Sequence, residues 1–444
     1  MSRKSIRILH TMLILTVIAA YVQPLITPFP AIALDGRSDG TEFRVYLPLV
    51  RKSATSTKPQ TSGVRLTSGD LTYQGAFRLP EAFNWGARGM AYYPEGNGGR
   101  GTLLIIGFDL NRAEYGEISI PDPAVENNWE DLPIAALNAG MVDFGSAIVA
   151  TVSEDTAYAS GIEYVPGKGE QTGGKLFGAI DNWYGVSEET HSTIWFSEVN
   201  GSNPRGPYHV GPRQLPYHGN KAGDFLFKVP QWYADTYLGG RILVTGKTRG
   251  AFNGSQGPTL FAFAPWDTET PSGDLDAVPM LYYRIFYPDC AGPNVGDKAS
   301  CDYPNFTMCD KWESGGFVES GLKRSIILLG IKGLGTNYYG EAPGPDSCDS
   351  STGYHCDPYE RQVIFYDVDE LGRAAQGQAD PWSVTPYEIW TPREFFIKDD
   401  QGRSCGQPGG LAVDSSGKRL FMIEKGFGGH QNENGAVVHV WQIK

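Results

Sequence analysis

The last part of the chain decides its fold. It contains three short apolar stretches: Gly-Leu-Ala-Val-Asp at 410–414, Arg-Leu-Phe-Met-Ile-Glu at 419–424 and Val-Val-His-Val-Trp-Gln-Ile-Lys at 437–444. They are rich in β-branched and aromatic residues and are separated by turn-forming residues, which predicts three antiparallel strands. Three strands cannot bury both faces alone, so this unit needs copies of itself or a partner sheet.

Four earlier copies of this three-strand pattern precede it. In every copy a glycine opens the first strand, and these first strands are predicted at 89–94, 161–166, 223–230, 315–319 and 410–414. The second and third strands are predicted at 102–107 and 115–121, 175–180 and 192–197, 241–246 and 259–264, 325–330 and 362–368, and 419–424 and 437–444. A unit that recurs in this way indicates a repeat architecture.

A fourth strand fits between consecutive copies, near 137–144, 206–210, 280–286 and 385–389. No such strand follows the last copy, but an unassigned strand at 71–80 lies before the first. If that strand pairs with 437–444, the fold is an all-β, five-bladed β-propeller closed by its two termini, which leaves no open sheet edge. A β-sandwich with insertions is the alternative.

The composition agrees with an all-β chain, since 56 Gly, 30 Pro and 12% aromatic residues are typical of many strands joined by loops. Residues 1–33 are predicted to be a signal peptide, because basic residues precede an apolar run at 12–20 and small residues follow it. A single membrane anchor is the alternative for this segment. Residues 34–65 are rich in Ser, Thr, Lys and Pro and are predicted to be a flexible linker, which leaves 66–444 for the propeller domain.

The net charge argues against one class of partner. The formal charge is −13, and removal of 1–33 with its three basic residues and no acidic residue brings it to about −16 (−13 − 3). Nucleic-acid binding needs clustered basic residues, so it is not expected. We expect a monomer that is secreted or held at the cell surface, does not contact the membrane after signal cleavage, and has an extracellular glycan as its partner.

Six cysteines lie in the second half of the chain, at positions 290, 301, 309, 348, 356 and 405. Cysteines in loop sequence of a secreted chain predict disulfides, here up to three. We expect Cys348 and Cys356 to pair, since they close a short loop. A metal site that includes His355 is the alternative, but the sequence has no C-x-x-C pair.

Three segments carry a resemblance to a family: Glu117-Ile-Ser-Ile-Pro, Gly330 with the later Tyr338-Tyr-Gly, and Asp380-Pro-Trp-Ser-Val-Thr-Pro-Tyr. Over about residues 70–444 the chain resembles uncharacterised secreted bacterial and environmental β-propeller-like proteins. That family often has Gly-His-Asp where this chain has Gly107-Phe108-Asp109, so a role for that histidine does not transfer. The resemblance implies no activity.

The propeller geometry nominates a site. The residues before each first strand and after each second strand share one rim, where loops converge. The predicted catalytic residues on this rim are Asp109, Asp181, Glu424 and His191. The predicted substrate-binding residues are Arg88, Trp183, Tyr184, Lys247, Arg249 and His430. The same positions also include Ser160, Lys221, Asp224, Glu313, Lys332, Gln407 and Lys425. For any single residue of this set, hydrogen bonding at a solvated rim or channel is the simpler interpretation. The combination of carboxylates, basic groups, histidines and aromatic residues on one predicted face is what indicates a binding site.

This mixture suits a carbohydrate, because sugar rings stack on aromatic faces while charged groups bond hydroxyls or pair with uronates. A glycosidase needs two carboxyls, for which Asp109, Asp181 and Glu424 are candidates. Glu163 and Glu319 join them if the first strands turn these side chains into the channel.

A polysaccharide lyase would use a different set: His191 or Tyr184 as base, and Arg249 as the cation that neutralises a uronate. The leading hypothesis is therefore a secreted propeller that binds an extracellular polysaccharide and, with paired carboxylates or such a base, cleaves it. A non-catalytic binding or adhesion module is the alternative. No cofactor is implied, although a propeller held by structural calcium stays open as a third hypothesis.

Overall fold

The computed structural model describes residues 63–444 except for a set of gaps. These gaps are 109–110, 127, 154–155, 169–170, 183–190, 220, 250–255, 265–272, 286–301, 304–305, 342–352, 394, 399–403, 415, 417 and 427–434. The chain divides into two compact units, Met1–Gln60 and Thr61–Lys444, and every described residue belongs to the second. The predicted signal peptide and nearly all of the predicted linker therefore lie outside the described residues.

Five sheets form the five predicted blades, each built on four antiparallel strands, and the sheet of blade 4 has a fifth, short strand. Blade 1 contains β3 (Met90–Tyr93), β4 (Thr102–Ile106), β5 (Glu114–Ser119) and β6 (Val142–Asp143). Blade 2 contains β7 (Ala157–Val165), β8 (Lys175–Asn182), β9 (Ile194–Glu198) and β10 (Arg205–Tyr208). Blade 3 contains β11 (Phe225–Lys228), β12 (Leu243–Gly246), β13 (Leu260–Ala264) and β14 (Asp276–Leu281).

Blades 4 and 5 complete the ring. Blade 4 contains β15 (Lys311–Ser320), β16 (Lys323–Gly333), β19 (Tyr359–Tyr366) and β20 (Glu388–Trp390). Blade 5 contains β21 (Gln407–Asp414), β22 (Arg419–Lys425), β23 (Ala436–Ile443) and, from the start of the domain, β2 (Leu71–Arg78). The predicted five-bladed propeller is confirmed.

The two ends of the domain close the ring as predicted. Strand β2 pairs antiparallel with β23, and Leu71 is opposite Ile443. A short strand upstream of β2 contributes as well: β1 (Val64–Arg65) pairs in parallel with β16 of blade 4. Two residues that the sequence places in the linker are thus part of a sheet.

The apolar core lies between neighbouring blades, as expected when sheets pack face to face. Phe421 of blade 5 and Leu103 of blade 1 belong to one buried cluster, and Phe227 of blade 3 and Phe317 of blade 4 belong to another. Near the axis the first strands approach too closely for side chains. A Cβ on Gly161 would lie 2.8 Å from the backbone nitrogen of Leu226, which explains why glycine recurs at the start of these strands.

Insertions between the strands carry the remaining elements. These are α1 (Gly96–Gly99), α2 (Ser146–Val152), α3 (Gln231–Tyr237), α4 (Val368–Ala375) and a two-stranded ribbon, β17 (Tyr338–Gly340) with β18 (Gly353–His355). None of the helices in the described part of the chain is long and apolar enough to cross a membrane.

A disulfide anchors the ribbon, but its pairing differs from the prediction. Cys356, next to β18, is bonded to Cys309, which lies 47 residues away and just before β15. The predicted Cys348–Cys356 bond is therefore wrong, because sequence proximity suggested a partner whereas the fold places Cys309 beside Cys356. Cys405 is also disulfide-bonded.

Candidate functional site

A buried polar cluster lies on the predicted rim, between blades 2 and 3. Asp181 lies near the end of β8, Asp224 immediately precedes β11, and Lys247 immediately follows β12. Because β11 and β12 pair with Phe225 opposite Gly246, Asp224 and Lys247 extend from adjacent strand ends.

One lysine joins the two carboxylates of this cluster. Nζ of Lys247 lies 2.6 Å from Oδ1 of Asp224 and 3.2 Å from Oδ1 of Asp181. These two oxygens are thus at most 5.8 Å apart, the sum of the two distances. Asp224 also accepts from the backbone N–H of Thr248 at 2.8 Å. Asp224 has no exposed surface and Asp181 is 6% exposed, so both carboxylates depend on these contacts.

The two carboxylates differ in acidity. Burial, and next the charge of Asp181, raises the pKa of Asp224 to about 8 although Lys247 opposes the shift. Burial would also raise the pKa of Asp181, but Lys247 and the hydroxyl of Tyr158 outweigh it and hold that pKa below its ordinary value. Asp181 is therefore the more acidic of the two carboxyl groups.

Three half-buried side chains lie around this cluster. Tyr158, in β7, donates a hydrogen bond to Oδ2 of Asp181 at 2.7 Å. Arg88, just before β3, lies with its guanidinium carbon 4.4 Å from the centre of the Tyr158 ring. His191 lies within electrostatic reach of Lys247, and burial followed by that charge lowers the pKa of His191 to about 4. We call Arg88, Tyr158, Asp181, His191, Asp224 and Lys247 the Asp181 cluster.

Arg249 points toward blade 4 instead. A Cβ built on Gly353 would lie 3.8 Å from Nη2 of Arg249, so this guanidinium lies beside the β17–β18 ribbon. Arg249 is thus on the predicted rim, two residues after Lys247, but its guanidinium lies beside the ribbon of blade 4.

Glu424 belongs to a separate cluster, so the predicted grouping of Glu424 with Asp181 is not the arrangement found. Its Oε2 accepts from the backbone of Ile397 at 2.9 Å and pairs with Nε2 of His439 at 3.0 Å. Nδ1 of His439 is in turn 2.9 Å from the hydroxyl of Tyr73. Glu424 has no exposed surface and shares no described partner with Asp181, because alternation along β22 turns its side chain toward blade 4.

Four predicted residues cannot be placed. Asp109, Trp183, Tyr184 and His430 lie outside the described residues. Their assignment to the site stays a prediction.

Tyr158 is not among the predicted site residues, because β7 begins four residues before the predicted strand start at 161. The alternating Ala-Tyr-Ala-Ser at 157–160 is the signal that could have extended the strand. Asp224 was recognised as a rim residue, but nothing in the sequence indicated that it would share Lys247 with Asp181.

The first strands do turn Glu163 and Glu319 into the axial channel, toward its other end. They line a cavity of about 230 Å³ to which all five blades contribute. Glu163 is paired with Lys228 at 2.7 Å, and burial raises its pKa despite Lys228. Glu319 accepts from the indole N–H of Trp232 at 3.2 Å. These two carboxylates are therefore separate from the Asp181 cluster.

Among the described residues no group of three or more His, Cys, Asp or Glu has an arrangement that could hold a metal ion.

The fold defines the chain as a five-bladed β-propeller. No family model matches the sequence, and no curated protein matches it either. Among solved structures, the chain is similar to the α-L-arabinofuranosidase Arb93A from Fusarium graminearum, solved in complex with an iminosugar inhibitor. The two sequences are 9% identical and the TM-score is 0.37. The similarity covers 84% of this chain and 98% of that one. It is also similar to a member of the DUF4221 family from Bacteroides vulgatus ATCC 8482, with 10% identity, a TM-score of 0.34 and the same coverage. Scores this low carry no argument about function.

Proposed function

We propose that the protein is a secreted or cell-surface β-propeller that binds an extracellular polysaccharide at the rim around Arg88, Tyr158 and Asp181. The observation that carries this proposal is the contact between the Arg88 guanidinium, the Tyr158 ring and the Asp181 carboxylate. It brings a guanidinium, an aromatic ring and a carboxylate to one place, and these three groups are of the kinds that bind sugars.

The environment of this trio supports binding, because its geometry is set before a ligand arrives. The buried Lys247, itself held by Asp224, bonds the Asp181 carboxylate, while Arg88 and Tyr158 keep part of their surface exposed. A site whose side chains are already ordered loses less conformational entropy on binding. The disulfide between Cys309 and Cys356 supports an extracellular location, where such bonds persist.

Hydrolysis is the second candidate, favoured by the paired carboxylates themselves. Retaining glycosidases hold two carboxyl groups about 5–5.5 Å apart, one ionised and one protonated. The Oδ1 atoms of Asp181 and Asp224 are at most 5.8 Å apart, and the pKa of Asp224 is the higher of the two. The complete burial of Asp224 argues for the binding role, since a general acid must reach the glycosidic oxygen.

A panel of soluble neutral and uronate-containing polysaccharides tests the proposal. Affinity electrophoresis measures binding, while reducing ends and unsaturated products in the same samples report hydrolysis and elimination. We expect retardation by at least one polymer. New reducing ends that disappear in Asp181→Asn would establish the hydrolase, and retardation without product would establish the binding module. No retardation and no product with any member would refute both.

A further inference from the structure

The rim also shows where a longer ligand would lie. Among the described residues, the large aromatic side chains that are well exposed are Trp85, Tyr338 and Tyr339, at 46%, 40% and 53%. Trp85 precedes β3 in blade 1, and both tyrosines follow β16 in blade 4. Residues that precede a first strand or follow a second strand share the rim of the Asp181 cluster, which lies on the intervening blades 2 and 3.

Contacts connect the Asp181 cluster to both aromatic positions. On one side, Asp181 bonds Tyr158, and Tyr158 packs under Arg88, three residues after Trp85. On the other side, Lys247 is followed by Arg249, which lies beside Gly353 of the ribbon. The polar cluster is thus at the middle of the path between Trp85 and the ribbon.

Trp85 is fixed in its exposed position by the backbone around it. A Cβ on Gly86 would lie 1.9 Å from the carbonyl oxygen of Gly107, so the loop is pressed against the end of β4. Ala87 donates to the carbonyl of Ile106 at 2.9 Å. Trp85 itself has a φ of 68°, a value that a bulky residue adopts only when its surroundings impose it.

The two ribbon tyrosines lie on opposite faces. Tyr338 is opposite His355 and stacks on its ring, with centroids 5.2 Å apart, whereas Tyr339 is opposite Tyr354. Side chains alternate along a strand, so Gly353 and His355 share a face with Tyr338. A Cβ built on Gly353 points to within 3.8 Å of Arg249, so Tyr338 is on the ribbon face that Arg249, two residues after Lys247, approaches, and Tyr339 is on the other face.

We propose that the site is an extended one for a polysaccharide chain, with Trp85 and Tyr338 as sugar-stacking subsites on either side of the Asp181 cluster. This inference rests on the proposed function and adds that the ligand is the interior of a chain several sugars long. A protein that recognised only a terminal sugar would have no use for separated aromatic platforms.

The test compares affinity for a polymer from the panel with affinity for its own disaccharide, using the full chain. Trp85→Ala and Tyr338→Ala should each weaken polymer binding about three- to tenfold, the loss expected for one aromatic contact. Their effects should multiply in the double variant, since the sites are separate. Disaccharide affinity should stay within twofold of the parent.

Matched variants keep the test falsifiable. Tyr339→Ala, on the opposite ribbon face, should leave both affinities unchanged, and Trp85→Tyr and Tyr338→Phe should retain polymer binding because they keep a stacking ring. Unchanged polymer affinity in the double variant would overturn the extended site and leave the proposed function standing. Equal losses for Tyr338→Ala and Tyr339→Ala would also overturn it. If the parent binds no polymer, this inference fails together with the proposed function.

Discussion

The ammonium group of Lys247 lies 2.6 Å from Oδ1 of Asp224, and neither side chain is open to solvent. The pair joins the start of the first strand of blade 3 to the end of its second strand. Since Lys247 also reaches Asp181 of blade 2, one buried cation links two blades at the rim. This arrangement makes the Asp181 cluster both a structural joint and the base of the proposed site.

The acidity of Asp224 predicts how stability depends on pH. Its pKa of about 8 in the folded protein exceeds the ordinary value of 3.8, so between these values the folded state holds a proton that the unfolded state releases. Its contribution to the free energy of unfolding therefore falls as pH rises from about 4 to about 8. Asp181 has the opposite shift, and its stabilising contribution is lost only as pH falls below its ordinary range.

Urea unfolding of the parent and Asp224→Asn at pH 5.0, 6.5 and 8.0 checks this expectation. The asparagine cannot titrate, so the stability difference between parent and variant should shrink as pH rises. A difference that is constant or grows with pH would show that Asp224 is ionised in the folded protein.

Removal of the shared cation should be costly. Lys247→Met leaves the Asp181 carboxylate buried without its cation and removes the donor to Asp224. Breaking a buried ion pair typically lowers the free energy of unfolding by about 3–5 kcal/mol. Chemical unfolding at pH 7 measures this loss. Parent-like stability would mean that the cluster does not join blades 2 and 3.

Arg419→Met is the control at the opposite rim. Arg419 pairs with the buried Asp414 at 2.8 Å, within blade 5. This variant should lose stability while the folded protein keeps its polysaccharide affinity, whereas Lys247→Met should lose both.

Ring closure makes a separate prediction. Deletion of residues 64–78 removes β1 and β2 and exposes the apolar edge of β23, so the protein should aggregate or melt far below the parent. Thermal unfolding and light scattering are the measurements. A truncated chain that melts like the parent and stays monomeric would contradict closure through the termini.

The disulfide gives the fourth prediction. Peptide mapping of unreduced protein should recover Cys309 linked to Cys356, and Cys309→Ser should lower the free energy of unfolding by about 4 kcal/mol, the chain-entropy value for a closed loop of 47 residues. A Cys348–Cys356 peptide, or unchanged stability in the variant, would contradict the pairing.

The fold could be predicted from sequence because its signal is local and repeated. The glycine before each first strand, the alternation within strands and the unpaired strand at 71–80 each follow from backbone geometry, and together they indicate a closed ring. The site was harder to predict because its contacts join residues far apart in the chain. The rim position placed Asp181 and Lys247 in one predicted set, but no local signal indicated that Lys247 of blade 3 would pair with Asp181 of blade 2. The alternation along β22 turns Glu424 toward blade 4. The prediction of the disulfide partner of Cys356 failed for the same reason, because no local sequence signal indicates that the fold brings Cys309 beside it.

The central claim is that the rim around Arg88, Tyr158 and Asp181 binds a polysaccharide, and calorimetric titration of three proteins tests it most directly. Arg88→Ala removes the guanidinium over Tyr158. Arg419→Ala removes a guanidinium that likewise lies on a ring, that of Phe421, and pairs with Asp414, but at the opposite rim. With a polymer identified by the panel, the dissociation constant should rise at least tenfold in Arg88→Ala, as expected when hydrogen bonds to a charged group are lost, and stay within twofold of the parent in Arg419→Ala. Equal affinities in all three proteins, or a larger loss in Arg419→Ala, would contradict the account.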